Sequence, residues 1–238
     1  MNKLQGLPLA IFDFETTGPD PQTCAPLQVA VYHMCLGDAS SITCALKTLI
    51  HFEGEIPADA TAVHGITSEM VQGAPPVEAV LDEMWDLFED RVLCAYNLPY
   101  DWQVAQRYLE YTPGGRVLPF PGLDPSVWWR KITNGFSGKL TAVAAHYKVD
   151  MGNAHDAGCD TLATAKIIPH LLQDLVQQRA IPSHVDAHGL LTAQSTWAQN
   201  QEIRINAWLR RSGRQPGPGW SACVACGVPF SLAEGPAD

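Results

Sequence analysis

The 238-residue chain has no long apolar run and little positive charge. No stretch approaches the ~20 consecutive apolar residues that a membrane helix needs, so we expect no membrane partner. Fifteen Lys and Arg residues stand against 25 Asp and Glu, which disfavours a protein that grips nucleic acid by neutralising many phosphates. An enzyme that holds an anionic substrate through divalent cations remains compatible, because bound ions can be the dominant local positive charge.

Several motifs of common enzyme classes are missing as well. The sequence contains no G-x-S-x-G stretch, which disfavours a serine nucleophile on a strand-to-helix turn. The pair Gly138-Lys139 lacks the rest of a phosphate-binding loop, and no G-x-G-x-x-G follows the first apolar segment. The chain also has no internal repeats. Phosphate-loop, dinucleotide-binding and solenoid classes are therefore disfavoured.

Seven cysteines, an odd number, are present, and five of them sit in apolar or periodic segments. A free thiol there behaves as a small hydrophobe, which favours a reduced, cytoplasmic protein. The N-terminal apolar run is short and broken by Pro8, which is typical of a strand and not of a signal peptide. Cys223 and Cys226 form half a zinc site at best, which His184 and His188 would have to complete. We favour an ordinary tail with two free thiols.

Apolar residues make up 46% of the chain, enough for a sizeable core. Short segments rich in Val, Ile, Leu and Thr predict five strands, of which the first three form an antiparallel meander, at residues 7–15, 27–34, 42–50, 91–96 and 117–123. Apolar positions at helical spacing predict helices between and after them. The order indicates an α/β domain over residues 1–178 with a mixed five-stranded sheet flanked by helices. Residues 179–238 are predicted to be a C-terminal extension with one amphipathic helix, about 190–211, and a Gly/Pro-rich tail.

Two carboxylates lie one residue apart in the first predicted strand. Side chains two positions apart share a face of a strand, so Asp13 and Glu15 should project from the same face as the apolar Leu9 and Ile11. Charges beside a core need a partner, and a divalent cation is a natural one. Taken alone, the pair equally fits a strand end where Asp13 caps a turn and Glu15 is solvated.

Two further carboxylates open helices. Asp101 lies where the helix after the fourth strand begins, a position where Asp is favoured for capping alone. Asp160 shares a predicted helical face with small residues that would let the helix approach a sheet closely, and such a carboxylate should be paired. His155 would project from the start of that helix, where a lone His is more often a surface residue than a base. Each feature is weak in isolation.

Together, and in this order, these segments resemble the motifs of the DEDDh, or DnaQ-like, family of 3′–5′ exonucleases. Residues 11–18 are similar to its D-x-E-T-T-G stretch, 62–67 to the segment that contacts the terminal nucleotide, 95–101 to its second motif and 155–160 to its third. Gln28 stands where that family often has Glu. Asp156 stands where a tyrosine subgroup would need Tyr, so the resemblance is to the histidine type.

The resemblance implies a ribonuclease H-like fold and a divalent-metal site that holds two Mg²⁺ or Mn²⁺ ions. The implied metal ligands are four carboxylates, Asp13, Glu15, Asp101 and Asp160. The implied general base that deprotonates the attacking water is His155. The residues implied to hold the 3′-terminal nucleotide are Phe14, Thr16, Thr17 and His64.

The implied activity is hydrolysis of terminal phosphodiester bonds at a single-stranded or frayed 3′ end, releasing nucleoside 5′-monophosphates. The motifs resemble the epsilon-like branch, which favours DNA, a proofreading or repair role and a polymerase or replication partner. Two alternatives stay open. One is a 3′–5′ exoribonuclease of the ribonuclease T or oligoribonuclease kind, and the other is a non-catalytic domain that binds nucleic acid or a replication partner.

Overall fold

The structure, a computed structural model, describes residues 3–109, 115–118, 122–135 and 138–213. Within these ranges the strands are β1 (Pro8–Thr16), β2 (Pro26–Cys35), β3 (Asp38–Leu49) and β4 (Val92–Cys94). The first helices are α1 (Ala58–His64), α2 (Ser68–Val71), α3 (Val77–Phe88) and α4 (Leu98–Leu109). The remaining helices are α5 (Pro125–Thr133), α6 (Leu140–His146), α7 (Ala157–Gln177) and α8 (Ala187–Arg211). Cys223 and Cys226 lie outside the described residues.

The four strands form one mixed sheet in the order β3-β2-β1-β4. The first three strands pair antiparallel, as the short connections predicted, whereas β4 pairs parallel to β1. A parallel pair needs a long crossover connection, and the chain between β3 and β4 supplies it with α1, α2 and α3. The C-terminal ends of the parallel strands β1 and β4 therefore lie side by side at the same end of the sheet.

The prediction of a fifth strand was wrong for the described residues. Among residues 117, 118, 122 and 123, which are the described part of the predicted segment, only Leu123 pairs, in a single parallel bridge with Cys94. Pro119 and Pro121 lack the N–H that a ladder requires, and residues 119–121 are outside the described ranges. The fold is still α/β with helices on a mixed sheet, but the sheet has four strands.

β1 is the central strand and is covered on both faces. Leu9 and Ile11 are fully buried on the face that carries the odd-numbered residues, and α7 contacts β1 and β2. On the other face the Phe12 ring lies 5.1 Å from the ring of Phe88 in α3. Among the described residues, no helix combines the length and apolar composition needed to cross a bilayer.

The C-terminal helix α8 is joined to α5 by buried amide side chains. Gln194, which is fully buried, accepts hydrogen bonds from the Asp124 backbone N–H (2.8 Å) and the Trp128 indole (2.7 Å), and it donates to the Gly122 carbonyl (2.8 Å). Helix α8 begins at Ala187, three residues before its predicted start, because the Asp186 side chain caps it.

Candidate active site

Two acidic side chains leave β1 on the same face, as the two-residue period of a strand requires. Asp13 pairs with Ala30 of β2 and Glu15 pairs with Gln28, and the register shifts just after Glu15. The shift ends the regular ladder beside the carboxylates. Asp13 is partly exposed, whereas Glu15 is only 9% exposed. The two carboxylates thus lie at the end of the central strand, between the core and solvent.

Asp101 reaches β1 from α4. Its Oδ1 accepts the Phe14 backbone N–H at 3.0 Å, and the residue is 3% exposed. Helix α4 begins at Leu98, and its first turn tolerates Pro99 because a proline there loses no hydrogen bond. Asp101 lies in this first turn, at the start of the helix as predicted, with its carboxylate against the backbone between the two β1 acids.

Asp160 and His155 come from the N-terminal end of α7. His155 adopts a left-handed backbone (φ 64°), and its N–H approaches Asp160 Oδ2 at 3.4 Å. The other carboxylate oxygen, Asp160 Oδ1, is buried and has no hydrogen-bond partner in the structure. One ligand atom each from Glu15, His155 and Asp160 lies within 4.8 Å of the others. The His155 side chain is exposed, so solvent reaches it.

The electrostatics of the cluster follow from burying like charges together. Burial raises the pKa of Asp13 well above its ordinary value, and the negative charges of Asp101, Glu15 and Asp160 raise it further. Burial, followed by the charges of Asp160 and Asp156, raises the pKa of Glu15 to about 8. Burial also raises the pKa of Asp101 and of Asp160, although hydrogen bonds from backbone N–H groups oppose it. The neighbouring charges that raise the pKa values of Asp13 and Glu15 are those of other carboxylates.

These features fit a divalent metal ion. Carboxylate oxygens are the ligands that Mg²⁺ and Mn²⁺ prefer, and the unpartnered Asp160 Oδ1 is an acceptor that a cation would satisfy. A cation among the carboxylates would also relieve the repulsion that raises their pKa values. Asp13, Glu15, Asp101 and Asp160 are therefore the residues that could hold metal.

Two residues that the sequence analysis did not assign to the site fix the start of α7. Lys47, on β3, makes an ion pair with Asp156 (Nζ to Oδ1, 2.7 Å), and its side chain lies directly over Gly158, where a Cβ would come within 2.7 Å of it. Gln28, on β2, accepts the buried Ala157 N–H at 2.9 Å. Asp156 itself caps the helix. These contacts are made at residues 156–158, which lie between His155 and Asp160 in sequence.

The residues predicted to hold a nucleotide line one cleft beside the carboxylates. Its volume is about 630 Å³, and its lining includes Phe14, Thr16, Thr17, His64 and Tyr100. The Tyr100 hydroxyl donates to the Gly18 carbonyl at 2.6 Å, and the Thr16 hydroxyl donates to the same oxygen at 2.8 Å. The cleft wall is therefore tied together from β1 and α4.

His64 lies at the end of α1, a helix that the sequence analysis did not predict. Its Nδ1 accepts the Ile66 N–H at 3.0 Å, while its Nε2 is buried without a hydrogen-bond partner in the structure. Burial lowers the pKa of His64, with the nearby His155 acting in the same direction and the Thr16 backbone opposing. The neutral ring thus carries its proton on Nε2, where it is a donor for a ligand.

The chain is similar to known nucleases. The exonuclease family RNase_T matches residues 10–168. A PolC-type DNA polymerase III of Clostridium perfringens is 25% identical over 82% of this chain but only 13% of that protein, so the chain spans about an eighth of that relative. The DNA polymerase III subunit epsilon of Aquifex aeolicus is 25% identical over 73% of this chain and 84% of the relative. The fold of this chain resembles that of exonuclease X in complex with 5′-overhanging duplex DNA, with a TM-score of 0.56 and 21% identity over 78% of this chain and 99% of that one.

Proposed function

The chain belongs to the RNase_T exonuclease family, and from this premise we propose that it is a metal-dependent 3′–5′ exonuclease acting on DNA. It would hydrolyse the terminal phosphodiester bond of a single-stranded or frayed 3′ end and release a nucleoside 5′-monophosphate. One observation carries the proposal: four carboxylates from β1, α4 and α7 interact in one cluster, in which Glu15 and Asp160 lie beside His155, and Glu15 also lines the cleft that contains His64.

The carboxylates and His155 would have distinct roles. Asp13, Glu15, Asp101 and Asp160 would hold two Mg²⁺ or Mn²⁺ ions, which when bound stabilise negative charge on the phosphoryl oxygens. His155 would accept the proton of the attacking water, because it is exposed to solvent and lies beside Glu15 and Asp160. Its left-handed backbone, between the Asp156 cap and the preceding loop, sets where the ring stands.

The cleft would hold the terminal nucleotide. The buried Nε2–H of neutral His64 is a donor that a sugar or phosphate oxygen of the substrate would satisfy. Phe14 offers an aromatic surface, and Thr16 and Thr17 offer hydroxyl and backbone groups in the same wall. Placing the terminal nucleotide there would bring its phosphodiester beside Glu15, which lines both the cleft and the carboxylate cluster.

The names of the relatives support the biological setting. Polymerase III relatives favour DNA, a proofreading or repair role and a polymerase or replication partner. A reduced, cytoplasmic location is supported by Cys24, Cys35, Cys44, Cys94 and Cys159, which are free thiols in the described part of the chain. An RNA substrate is the second candidate, because a structurally similar 3′-exonuclease recognises the 3′ end of a histone mRNA stem-loop.

The test is hydrolysis of 5′-labelled single-stranded DNA and RNA of matched sequence, with Mg²⁺, with Mn²⁺ and with EDTA. We expect a ladder that shortens from the 3′ end only with metal, faster on DNA. Asp13→Ala and His155→Ala should abolish or strongly reduce it, whereas Glu83→Ala, an exposed acid on α3, should not.

Each outcome separates the candidates. Faster shortening of RNA would replace DNA by RNA as the substrate. No shortening of either strand with either metal would refute an exonuclease and leave a domain that binds nucleic acid or a replication partner. Equal loss in the Glu83 variant would show that the Asp13 result reflects damage to the fold and not loss of a ligand.

A further inference from the structure

The two packed helices α5 and α8 carry positive charge on an acidic protein. They contain five of the fifteen Lys and Arg residues, one Glu and no Asp. Outside them the chain is strongly acidic, since the whole carries 25 Asp and Glu. Such a concentration of one sign creates a local potential opposite to that of the whole molecule. It points to an anionic partner.

One stripe of α8 faces α5 and then continues past it. Residues 197, 201, 204, 208 and 211 are spaced by four and three and share one side of the helix. The first three meet α5 or its C-cap: Lys131 Nζ lies 5.7 Å from the Trp197 ring, Arg130 donates to Gln201 and Arg204 donates to Asn134.

Beyond Arg204 the stripe is no longer covered by α5, which ends at Thr133 with Asn134 as its cap. Trp208, next on the stripe, is 49% exposed, and Arg211 is exposed. An exposed Trp between two arginines is a surface on which a base can stack while its phosphates are neutralised. We call Arg130, Lys131, Arg204, Trp208 and Arg211 the α5–α8 face.

The α5–α8 face begins near the catalytic edge of the sheet. Asp124, the cap of α5, accepts the N–H of Asn97, just before the helix that carries Asp101. Tyr96, directly after β4, donates to the Gly138 carbonyl at 2.6 Å, and the Arg130 side chain lies beside Gly138. From Gln201 to Arg211 the helix then extends about 15 Å, the length of roughly four stacked nucleotides.

We propose that the α5–α8 face binds the single-stranded segment of the substrate that lies 5′ of the terminal nucleotide. The phosphates would lie along Arg130, Lys131, Arg204 and Arg211, and a base would stack on Trp208. The proposal rests on the proposed function for the identity of the strand. Net negative charge on the rest of the chain repels a polyanion, which favours this face as the path of the strand.

The test compares substrates that share a 3′ end but differ in length, a trinucleotide and a 20-mer. Trp208→Ala and Arg211→Gln should each raise KM for the 20-mer by about fivefold or more, because stacking and phosphate contacts contribute that much per group. A trinucleotide spans only about 10 Å at roughly 3.4 Å per nucleotide, so with its terminal nucleotide in the cleft we expect no contact with Trp208 or Arg211, and its kcat/KM should be unchanged in both variants. Arg211→Gln should also lower the slope of log KM against log salt by about 0.7.

Arg210→Gln is the matched control. Arg210 is exposed and adjacent in sequence, but it lies on the other side of the helix from the stripe. It removes the same charge near the same helix end. Equal effects of the Arg210 and Arg211 variants would overturn the proposal in favour of a general effect of net charge, as would an unchanged KM for the 20-mer.

Binding of a fluorescent 20-mer, measured by fluorescence anisotropy in the presence of Ca²⁺, tests the α5–α8 face independently of hydrolysis. If the wild type hydrolyses neither substrate, the proposed function fails, yet weaker binding by the Trp208 and Arg211 variants alone would still support the face. Equal binding by all variants would refute the face even in an active enzyme. Loss of trinucleotide hydrolysis in the Trp208 variant would also count against it, because the damage would then include the catalytic site.

Discussion

The carboxylate cluster should destabilise the metal-free protein, and Glu15→Gln should relieve part of that strain. Burial and the neighbouring Asp160 and Asp156 raise the pKa of Glu15 from 4.5 to about 8 in the folded chain. The folded state therefore holds this proton more tightly than the unfolded state. The stability that Glu15 contributes through this proton is fully present below pH 4.5 and is lost as the pH rises through about 8.

The size of the effect follows from that difference. At pH 7 the unfolded chain has lost the Glu15 proton, whereas the folded chain still holds it. Relative to pH 4.5, this difference lowers the free energy of unfolding by an amount on the order of 3 kcal/mol, at about 1.4 kcal/mol per pH unit. Glu15→Gln keeps the side-chain shape and cannot ionise, so it should remove most of this penalty. For a chain of this length, the melting temperature should rise by roughly 6–12 °C.

The assay is thermal and guanidinium unfolding in EDTA at pH 5, 7 and 8.5, followed by circular dichroism. The gain from Glu15→Gln should be small at pH 5 and large at pH 8.5. Glu83→Gln, at an exposed position on α3, is the control and should change little at any pH. Added Mg²⁺ or Mn²⁺ should stabilise the wild type more than the Glu15 variant, because binding removes the same repulsion.

A Glu15→Gln protein that is no more stable than the wild type at pH 7 in EDTA would refute this reasoning. So would a gain of the same size at pH 5 and at pH 8.5, since a titrating carboxylate cannot produce it. The variant should in either case be inactive, because an amide is a poorer ligand for a divalent cation than a carboxylate.

Further expectations concern the helix cap, the base, the nucleotide cleft and the C-terminal helix. Asp156→Ala removes a helix cap and the ion pair with Lys47, so the free energy of unfolding measured in urea should fall by about 1–2 kcal/mol. The kcat measured in steady-state kinetics should also fall, and a fully active variant would contradict the role of the cap. His155→Ala should lower kcat about 100-fold or more with an unchanged melting temperature, and a loss below tenfold would remove it as the base. His64→Ala should raise KM for a short oligonucleotide more than it lowers kcat, and the reverse split would place His64 in the chemistry instead. Gln194→Leu leaves two buried donors and one carbonyl without partners, so the free energy of unfolding should fall by about 3 kcal/mol or more; near-neutrality in guanidinium unfolding would show that α8 is loosely held.

Local periodicity was sufficient for the elements that carry the proposed metal ligands. The two-residue period of a strand places Asp13 and Glu15 on one face whatever the rest of the chain does. The helix predicted around Asp160 is likewise present, as α7 (Ala157–Gln177). The motif order then implied that Asp101 and Asp160 would join the β1 acids.

Tertiary structure decided the contacts that no local pattern encodes. Lys47 looks like an ordinary solvated lysine on an edge strand, yet it reaches Asp156, which is 109 positions away in sequence. Helix α1 has seven residues, none of them buried, so no apolar stripe predicts it. His64 shares a cleft with Phe14 and Thr16 of β1 only because the folded chain brings these segments together. The segment 117–123 has the composition of a strand, but of its described residues only Leu123 pairs. Sequence by itself determined which face of each element is apolar or acidic, because that depends on spacing along the chain; the partners of those faces depend on distances that exist only after the chain has folded.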